Sequence, residues 1–125
     1  MATPFPSVEP AWALRAYLVL IGCAADHQTV TYDALARRIK RGGSNLLANP
    51  LALTTRWCQQ HGLPVLACLV VEGTTGLPAA DFAAISRDEI HREQERVWEF
   101  DWYAILPPTI EQLAEMNTRA LLTWN

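Results

Sequence analysis

The fold is decided by the stretch from Thr29 to Gly62, which reads TVTYDALARRIKRGGSNLLANPLALTTRWCQQHG. Its first residues predict a short strand that runs into a helix, because Thr31 can cap a helix whose first turn carries Asp33. We expect this second helix of the chain from Tyr32 to about Lys40. The pair Gly42-Gly43 then favours a helix stop.

A third helix is predicted after a short turn. Ser44 can cap that turn, and Asn49-Pro50 is typical of a helix start, since asparagine caps well and proline fits the first helical turn. We expect the helix from Pro50 to about His61, ended by Gly62. The two helices and the turn between them have the order of a helix-turn-helix.

Further elements are predicted on both sides of this unit. Residues 1–10 are rich in proline and predict an N-terminal arm, and apolar residues at three- and four-residue spacing predict a first helix from Ala11 to near Asp26. The nearly continuous apolar run Leu63 to Val71 predicts a buried strand. The turn at residues 72–76 would then complete a β-hairpin.

Two more helices are expected towards the C-terminus. Ser86, with Glu89 three residues later, has the spacing of a capping box and predicts a helix to about Trp98. Helical spacing of apolar residues predicts the last helix from Thr109 to Leu122.

The predicted fold class is therefore α+β and mainly helical. It consists of a winged helix-turn-helix core with a β-hairpin wing and additional C-terminal helices, in one domain over residues 11–125. In such a domain the third helix normally enters the major groove of DNA.

Composition sets the class of protein. The chain has 125 residues, of which 50% are hydrophobic and 18% are charged, as expected of one folded domain. Its apolar stretch Ala16 to Ala25 is much shorter than the roughly 20 residues of a membrane-spanning helix. These features predict a cytoplasmic protein that does not enter a membrane.

Neither catalysis nor metal binding is indicated by the reactive residues. Cys23, Cys58 and Cys68 lie in apolar surroundings without a Cys-x-x-Cys pair, which is typical of buried reduced thiols. The three histidines lie in different elements, and the glycines do not form a phosphate-binding loop. We therefore expect no catalytic centre, no metal and no cofactor.

Residues 29–77 contain three segments that suggest a family. The run Val30 to Ala36 resembles the threonine-tyrosine-glycine-x-leucine-alanine element of the alkylguanine-DNA alkyltransferases and alkyltransferase-like proteins. Asn49-Pro50 and the run Leu63 to Val71 are similar to that family's approach to its reactive-site strand. The resemblance implies a DNA-binding winged-helix protein.

The acceptor motif of that family is absent from this sequence. The alkyltransferases carry a proline-cysteine-histidine-arginine element, whereas this chain has Ala67-Cys68-Leu69-Val70. A cysteine nucleophile requires a nearby base, cation or helix terminus to lower its pKa, and an apolar strand raises it instead. We therefore expect Cys68 to be a core residue and not an alkyl acceptor.

Charge is distributed unevenly along the chain. Residues 1–33, 34–71 and 72–125 carry −2, +5 and −6, which gives the whole chain −3. A basic segment at the helix-turn-helix favours contact with phosphates. The alternative is an accidental cluster of solvated side chains.

The first functional hypothesis is binding of double-stranded DNA. Basic side chains of helix two and its exit would contact phosphates, and polar side chains of the turn and of helix three would lie near base edges. The predicted set is Arg37, Arg38, Lys40, Arg41, Ser44, Asn45, Thr54, Thr55, Arg56, Gln59 and Gln60.

The second hypothesis is a protein-binding accessory or inhibitor module, or a homodimer. Five tryptophans offer interface anchors, and the acidic run over residues 88–101 can mimic a phosphate backbone. Such a module could come from a phage or mobile element and act on a nucleic-acid-processing machine. Exposed Trp98 and Trp102 would favour this hypothesis, and a continuous basic strip would favour DNA.

Overall fold

The structure is a computed structural model that describes the backbone of residues 8–123 and the side chains of residues 9–116. Five α-helices dominate the described residues: α1 Val8–Ala25, α2 Tyr32–Ile39, α3 Ala48–Gln60, α4 Ile90–Glu99 and α5 Ile110–Thr123. Two short strands, β1 Val30–Thr31 and β2 Val70–Val71, complete the α+β fold. Within the described residues, no helix is both long enough and apolar enough to cross a membrane.

Helix α1 occupies the centre of the domain. All four other helices contact it, and so does the 3₁₀ turn Leu66–Leu69. Its buried residues include Ala13, Ala16, Leu20 and Ala24, each with no exposed surface. Three of these four are alanines, and their small side chains let the neighbouring elements pack closely against the α1 backbone.

Helix α2 begins at the predicted cap, but a lysine and not a glycine ends it. The Thr31 hydroxyl accepts a hydrogen bond from the Ala34 amide at 3.1 Å, which confirms the predicted cap. The helix ends because Lys40 adopts the left-handed conformation, with φ of 63°. The Arg41 amide then donates to the Ala36 carbonyl at 2.9 Å. The stop thus precedes Gly42-Gly43.

The predicted β-hairpin wing over residues 63–77 is wrong. Residues Leu66–Leu69 form a 3₁₀ turn, and β2 pairs in parallel with β1, in the register Val30 to Val70 and Thr31 to Val71. The chain does turn after β2, where the Glu72 amide donates to the Leu77 carbonyl at 2.8 Å. Pro78 has no amide hydrogen, however, and the Ala79 amide donates to the Tyr32 hydroxyl, so the returning chain forms no strand.

Several predicted element boundaries also need correction. Helix α3 begins at Ala48, and Leu47, not Asn49, is the capping residue, without a side-chain hydrogen bond. Ser86 precedes a 3₁₀ turn, Arg87–Glu89, that leads into α4, and its hydroxyl donates to the Asp88 carboxylate, so it does not form the predicted side-chain cap. The predicted arm at residues 1–10 overlaps α1 from Val8 onward, and its residues 1–7 lie outside the described residues.

Two buried polar side chains of α4 hold the segment before β2 in place. The Glu93 carboxylate, 6% exposed, accepts from the Val65 amide at 2.8 Å and from Arg96 at 2.6 Å. The next residue, Gln94, donates its side-chain amide to the Cys68 carbonyl at 2.9 Å. Backbone groups that the sheet does not pair are thus satisfied by side chains of a helix.

We expect Glu93→Ala to lower the free energy of unfolding by about 2 kcal/mol, because it leaves the buried Val65 amide without an acceptor. Glu93→Gln keeps an acceptor oxygen and should cost about half as much. The control is Glu89→Gln, whose ion pair with Arg92 is solvent-exposed and is expected to contribute less than about 0.5 kcal/mol. Chemical denaturation measures all three variants, and equal losses for Glu93→Ala and Glu89→Gln would contradict the expectation.

Candidate functional site

A groove runs along the outward face of α3. We call it the α3 groove; its volume is about 660 Å³, within the range of roughly 300–1,000 Å³ that is usual for ligand sites. Helix α3 lines one side, and the loop at residues 72–84 lines the other. The residues that carry polar or aromatic groups at this lining are Tyr32, Ser44, Asn45, Thr55, Arg56, Gln59, Glu72, Asp81 and Phe82.

The periodicity of α3 explains why these side chains share one face. Ala48, Ala52, Thr55 and Gln59 follow one another at intervals of four, three and four residues and all line the groove. The opposite face, which includes Trp57, is buried against the core. Because Ala48 and Ala52 are small, they leave open the space that forms the N-terminal half of the groove.

Specific hydrogen bonds fix the loop wall of the groove. The Tyr32 hydroxyl accepts from the Ala79 amide at 2.9 Å, and Arg87 donates to the carbonyls of Pro78 at 2.8 Å and Ala79 at 3.1 Å. Burial raises the pKa of Tyr32; the Ala79 amide lowers it, and the carboxylates of Asp81 and Glu72 raise it further. The phenol therefore stays protonated at neutral pH.

The groove contains both signs of charge. Arg56 lies on the helix side, whereas Glu72 and Asp81 lie on the loop side and form no ion pair among the described residues. A duplex laid along α3 would meet this loop and its two carboxylates. The outward face of α3 therefore differs from a recognition helix that projects freely into a major groove.

A second group of side chains forms a basic cluster at the exit of α2. We define the basic cluster as Arg15, Arg37, Arg38, Lys40 and Arg41. Arg15 donates to the Ile39 carbonyl at 3.2 Å, and Arg38 points back to the Cys23 sulfur at 3.8 Å. Sequence reasoning missed Arg15 because it lies in α1, within the N-terminal segment of net negative charge.

Trp12 organises part of the basic cluster. The guanidinium carbons of Arg15 and Arg41 lie 4.5 and 5.1 Å from the centroid of its ring, which is cation–π geometry. Arg41 also donates to the Leu46 carbonyl at 3.3 Å and forms an ion pair with Glu9 at 3.2 Å. The Arg41 side chain therefore already makes three interactions within the protein.

Most of the predicted contact residues are grouped by the structure, in two sets. Ser44, Asn45, Thr55, Arg56 and Gln59 line the α3 groove. The other set, Arg37, Arg38, Lys40 and Arg41, belongs to the basic cluster.

Thr54 and Gln60 lie away from both sets, which corrects the predicted interface. Thr54 is 1% exposed, and its hydroxyl donates to the carbonyls of Pro50 and Ala13, so it satisfies the core. Gln60 lines a separate cavity of about 180 Å³ between α3 and α5, with neighbours that include Trp57 and His61. Residues 54–60 span nearly two turns of α3, so their side chains point in different directions and cannot all face one ligand.

Sequence reasoning also missed part of the groove lining. The sequence predicts Tyr32 as the start of α2 and does not indicate that Tyr32, Glu72, Asp81 and Phe82 line a common groove. An available signal was the position of Tyr32 beside the predicted cap, where a long polar side chain can reach beyond its own helix. The loop has no periodicity from which its path could be inferred.

All three cysteines are buried, and the thiols of Cys58 and Cys68 are held in their protonated form. Burial raises the pKa of Cys58 to about 11; the Leu66 backbone lowers it, and the Glu93 carboxylate raises it. Burial also raises the pKa of Cys68, with further increases from Glu93 and Cys58. A protonated thiol inside the core is a weak nucleophile, as the apolar surroundings of Cys68 predict.

Histidines do not gather with acidic or thiol groups in the described part of the chain. Residues 9–116 contain no group of three or more histidine, cysteine, aspartate or glutamate side chains that could hold a metal ion. His27 stacks on Trp98 and His61 stacks on Trp57, with ring centroids 6.0 and 3.9 Å apart. These stacked rings pack the ends of helices.

We expect Cys58 and Cys68 in the native protein to resist iodoacetamide at pH 8. At a pKa of about 11, only about one Cys58 thiol in a thousand is ionised at that pH, and burial blocks access to it. Unfolding in denaturant should expose all three cysteines to rapid labelling. Mass spectrometry of digests identifies the labelled residue, and fast labelling of native Cys68 would contradict the buried-thiol assignment.

Comparisons with protein-family models, curated proteins and solved structures found no match. The resemblance of residues 29–77 to the alkyltransferases therefore stays a prediction from sequence pattern. The contacts, burial and charge of the α3 groove and the basic cluster are the basis for a functional proposal.

Proposed function

We propose that the protein binds DNA, with the basic cluster on backbone phosphates and the α3 groove around one nucleobase. The proposal rests on one observation: a single short turn joins the basic cluster to the α3 groove. Arg41 of the basic cluster donates to the carbonyl of Leu46, and Ser44 and Asn45 of the same short turn line the groove. A nucleotide that enters the groove would thus have its own backbone beside the cations.

The phosphate side of the proposal rests on side chains that are available to a ligand. Arg37 and Lys40 are exposed and form no ion pair among the described residues. Arginine and lysine at the surface neutralise DNA phosphates and release counterions, which supplies much of the affinity of DNA-binding proteins. The small number of such cations predicts modest, salt-sensitive binding.

The base side of the proposal rests on the chemistry of the α3 groove. Asn45, Arg56 and Gln59 offer the donors and acceptors that read base edges, and Tyr32 and Phe82 add aromatic surface. The Glu72 and Asp81 carboxylates disfavour a phosphate inside the groove, but they can accept hydrogen bonds from exocyclic amino groups. A base that has left the stack fits this lining better than an intact duplex does.

A protein partner is the second candidate function, favoured by one exposed apolar segment. Leu106 is 90% exposed, Tyr103 is 68% exposed and Ile110 is 40% exposed, all between the end of α4 and the start of α5. The tryptophans expected to mark an interface do not support it in the same way. Trp102 is buried, with its indole bonded to the Val97 carbonyl, and Trp98 is half-buried against Gln28.

We expect the double variant Arg37→Glu/Lys40→Glu to weaken binding of labelled duplex DNA by at least about tenfold at low salt. The slope of log affinity against log salt should become shallower by about 0.9 for each phosphate that the variant no longer neutralises. Fluorescence anisotropy measures both quantities. The control is Arg92→Glu, a reversal at an exposed residue of α4 outside the basic cluster; an equal loss there, or no DNA binding by the unaltered protein, would reject the proposal.

The groove is tested separately with Ala52→Phe, which places a ring in the space beside α3. We expect the unaltered protein to prefer a duplex with one mispaired base, because such a base leaves the stack at lower cost. Ala52→Phe should remove that preference and leave the salt slope on paired DNA unchanged. Ala104→Phe, at an exposed alanine outside the groove, is the matched control; an undiminished preference in Ala52→Phe would exclude the groove as the base site.

A further inference from the structure

Arg41 is held by an internal anion at the position where the basic cluster would meet a phosphate. Its Nη2 lies 3.2 Å from the Glu9 carboxylate, its Nε donates to Leu46, and its guanidinium lies over Trp12. The Arg41 side chain is only 18% exposed and that of Glu9 is 29% exposed, so this ion pair is partly shielded from water. The remaining contacts fix the guanidinium whichever anion it meets.

This arrangement leaves two polar atoms without partners. Glu9 Oε1 and Trp12 Nε1 are buried and form no hydrogen bond with the described residues. Buried donors and acceptors normally find partners, and each one left without a partner destabilises the arrangement that buries it. The Glu9 contact is therefore an imperfect one, made through one carboxylate oxygen while the other lacks a donor.

A phosphate can replace the Glu9 carboxylate as the acceptor of hydrogen bonds from Arg41. Both are oxyanions that arginine binds through parallel hydrogen bonds, and a phosphate presents additional oxygens. Arg15 lies over the same Trp12 ring as Arg41, so two cations flank one aromatic side chain beside this anion position. The carboxylate neutralises one of them in the free protein.

We propose that Arg15, Arg41 and Trp12 form a phosphate site that Glu9 occupies in the free protein and gives up to a backbone phosphate of bound DNA. The proposal rests on the proposed DNA-binding function, whose regulation it specifies. Exchange needs only a change of acceptor at Arg41 Nη2, because the bond to Leu46 and the contact with Trp12 can persist. Glu9 thus competes with DNA and lowers both the affinity and the salt dependence of binding.

The first test compares Glu9→Gln with Glu99→Gln in titrations with labelled duplex. Both variants remove one negative charge, but Glu99 is an exposed residue of α4 outside the basic cluster. Glu9→Gln is expected to bind DNA about three- to tenfold more tightly at low salt, with a salt slope steeper by about 0.9, the value for one more phosphate contact. Equal slopes in the two variants would overturn the proposal.

Arg41→Gln supplies the second step of a double-mutant cycle. In the unaltered protein the phosphate contact that Arg41 gains is offset by the Glu9 carboxylate that it releases, which takes up a cation, so loss of Arg41 should change the salt slope little. In the Glu9→Gln background the same change should return the steeper slope to that of the unaltered protein. If the ion pair has only a structural role, the effect of Arg41→Gln on the salt slope should be the same in both backgrounds. Thermal unfolding verifies that each variant is folded.

A probe without bases separates this proposal from the DNA-binding function. Tripolyphosphate is titrated into both proteins while the Nε–H signal of Arg41 is followed by NMR. Glu9→Gln should respond at a lower concentration than the unaltered protein. This response in a protein that ignores DNA would retain the phosphate site and reject the DNA proposal, whereas DNA binding without any Arg41 response would reject the site alone.

Discussion

Burial of α1 is the constraint on which the arrangement of the other elements depends. Every other helix of the described chain packs against it, and only Arg15, Leu18 and Ala25 of its described side chains are exposed. A helix that is covered on nearly all sides cannot show a single apolar stripe, so its sequence is apolar almost throughout. Its alanines set how closely α3 and the Leu66–Leu69 turn approach the centre.

The helices were predictable because their signals are local. The Thr31 cap, the period of α5 and the existence of α3 all follow from residues within one or two helical turns. The pairing of β1 with β2 joins residues 40 positions apart, and each strand has two residues. No local pattern distinguishes this parallel pair from a hairpin, so an apolar run followed by a turn indicated the wrong partner.

The candidate site shows a similar division between local and distant information. The sequence predicts Thr54, Thr55 and Gln59 at one contact surface. In the structure Thr55 and Gln59 line the α3 groove, whereas Thr54 is buried and bonds to α1. Counting charges along the chain places Arg15 in the acidic first segment, away from the basic cluster, and does not show that Arg41 is paired. Glu9 and Arg41 are 32 positions apart, and only the packing of α1 beside the exit of α2 brings them into contact.

The loop that walls the α3 groove has its own dynamic consequence. Between β2 and the turn Arg87–Glu89 the chain has no regular secondary structure, and the Tyr32 hydroxyl and the Arg87 guanidinium hold its middle at Pro78 and Ala79. Segments held by separate turn and side-chain hydrogen bonds, without a helix or a sheet ladder, generally open at a lower free energy than core helices do. We therefore expect that the loop can move and change the width of the groove while the helical core stays folded.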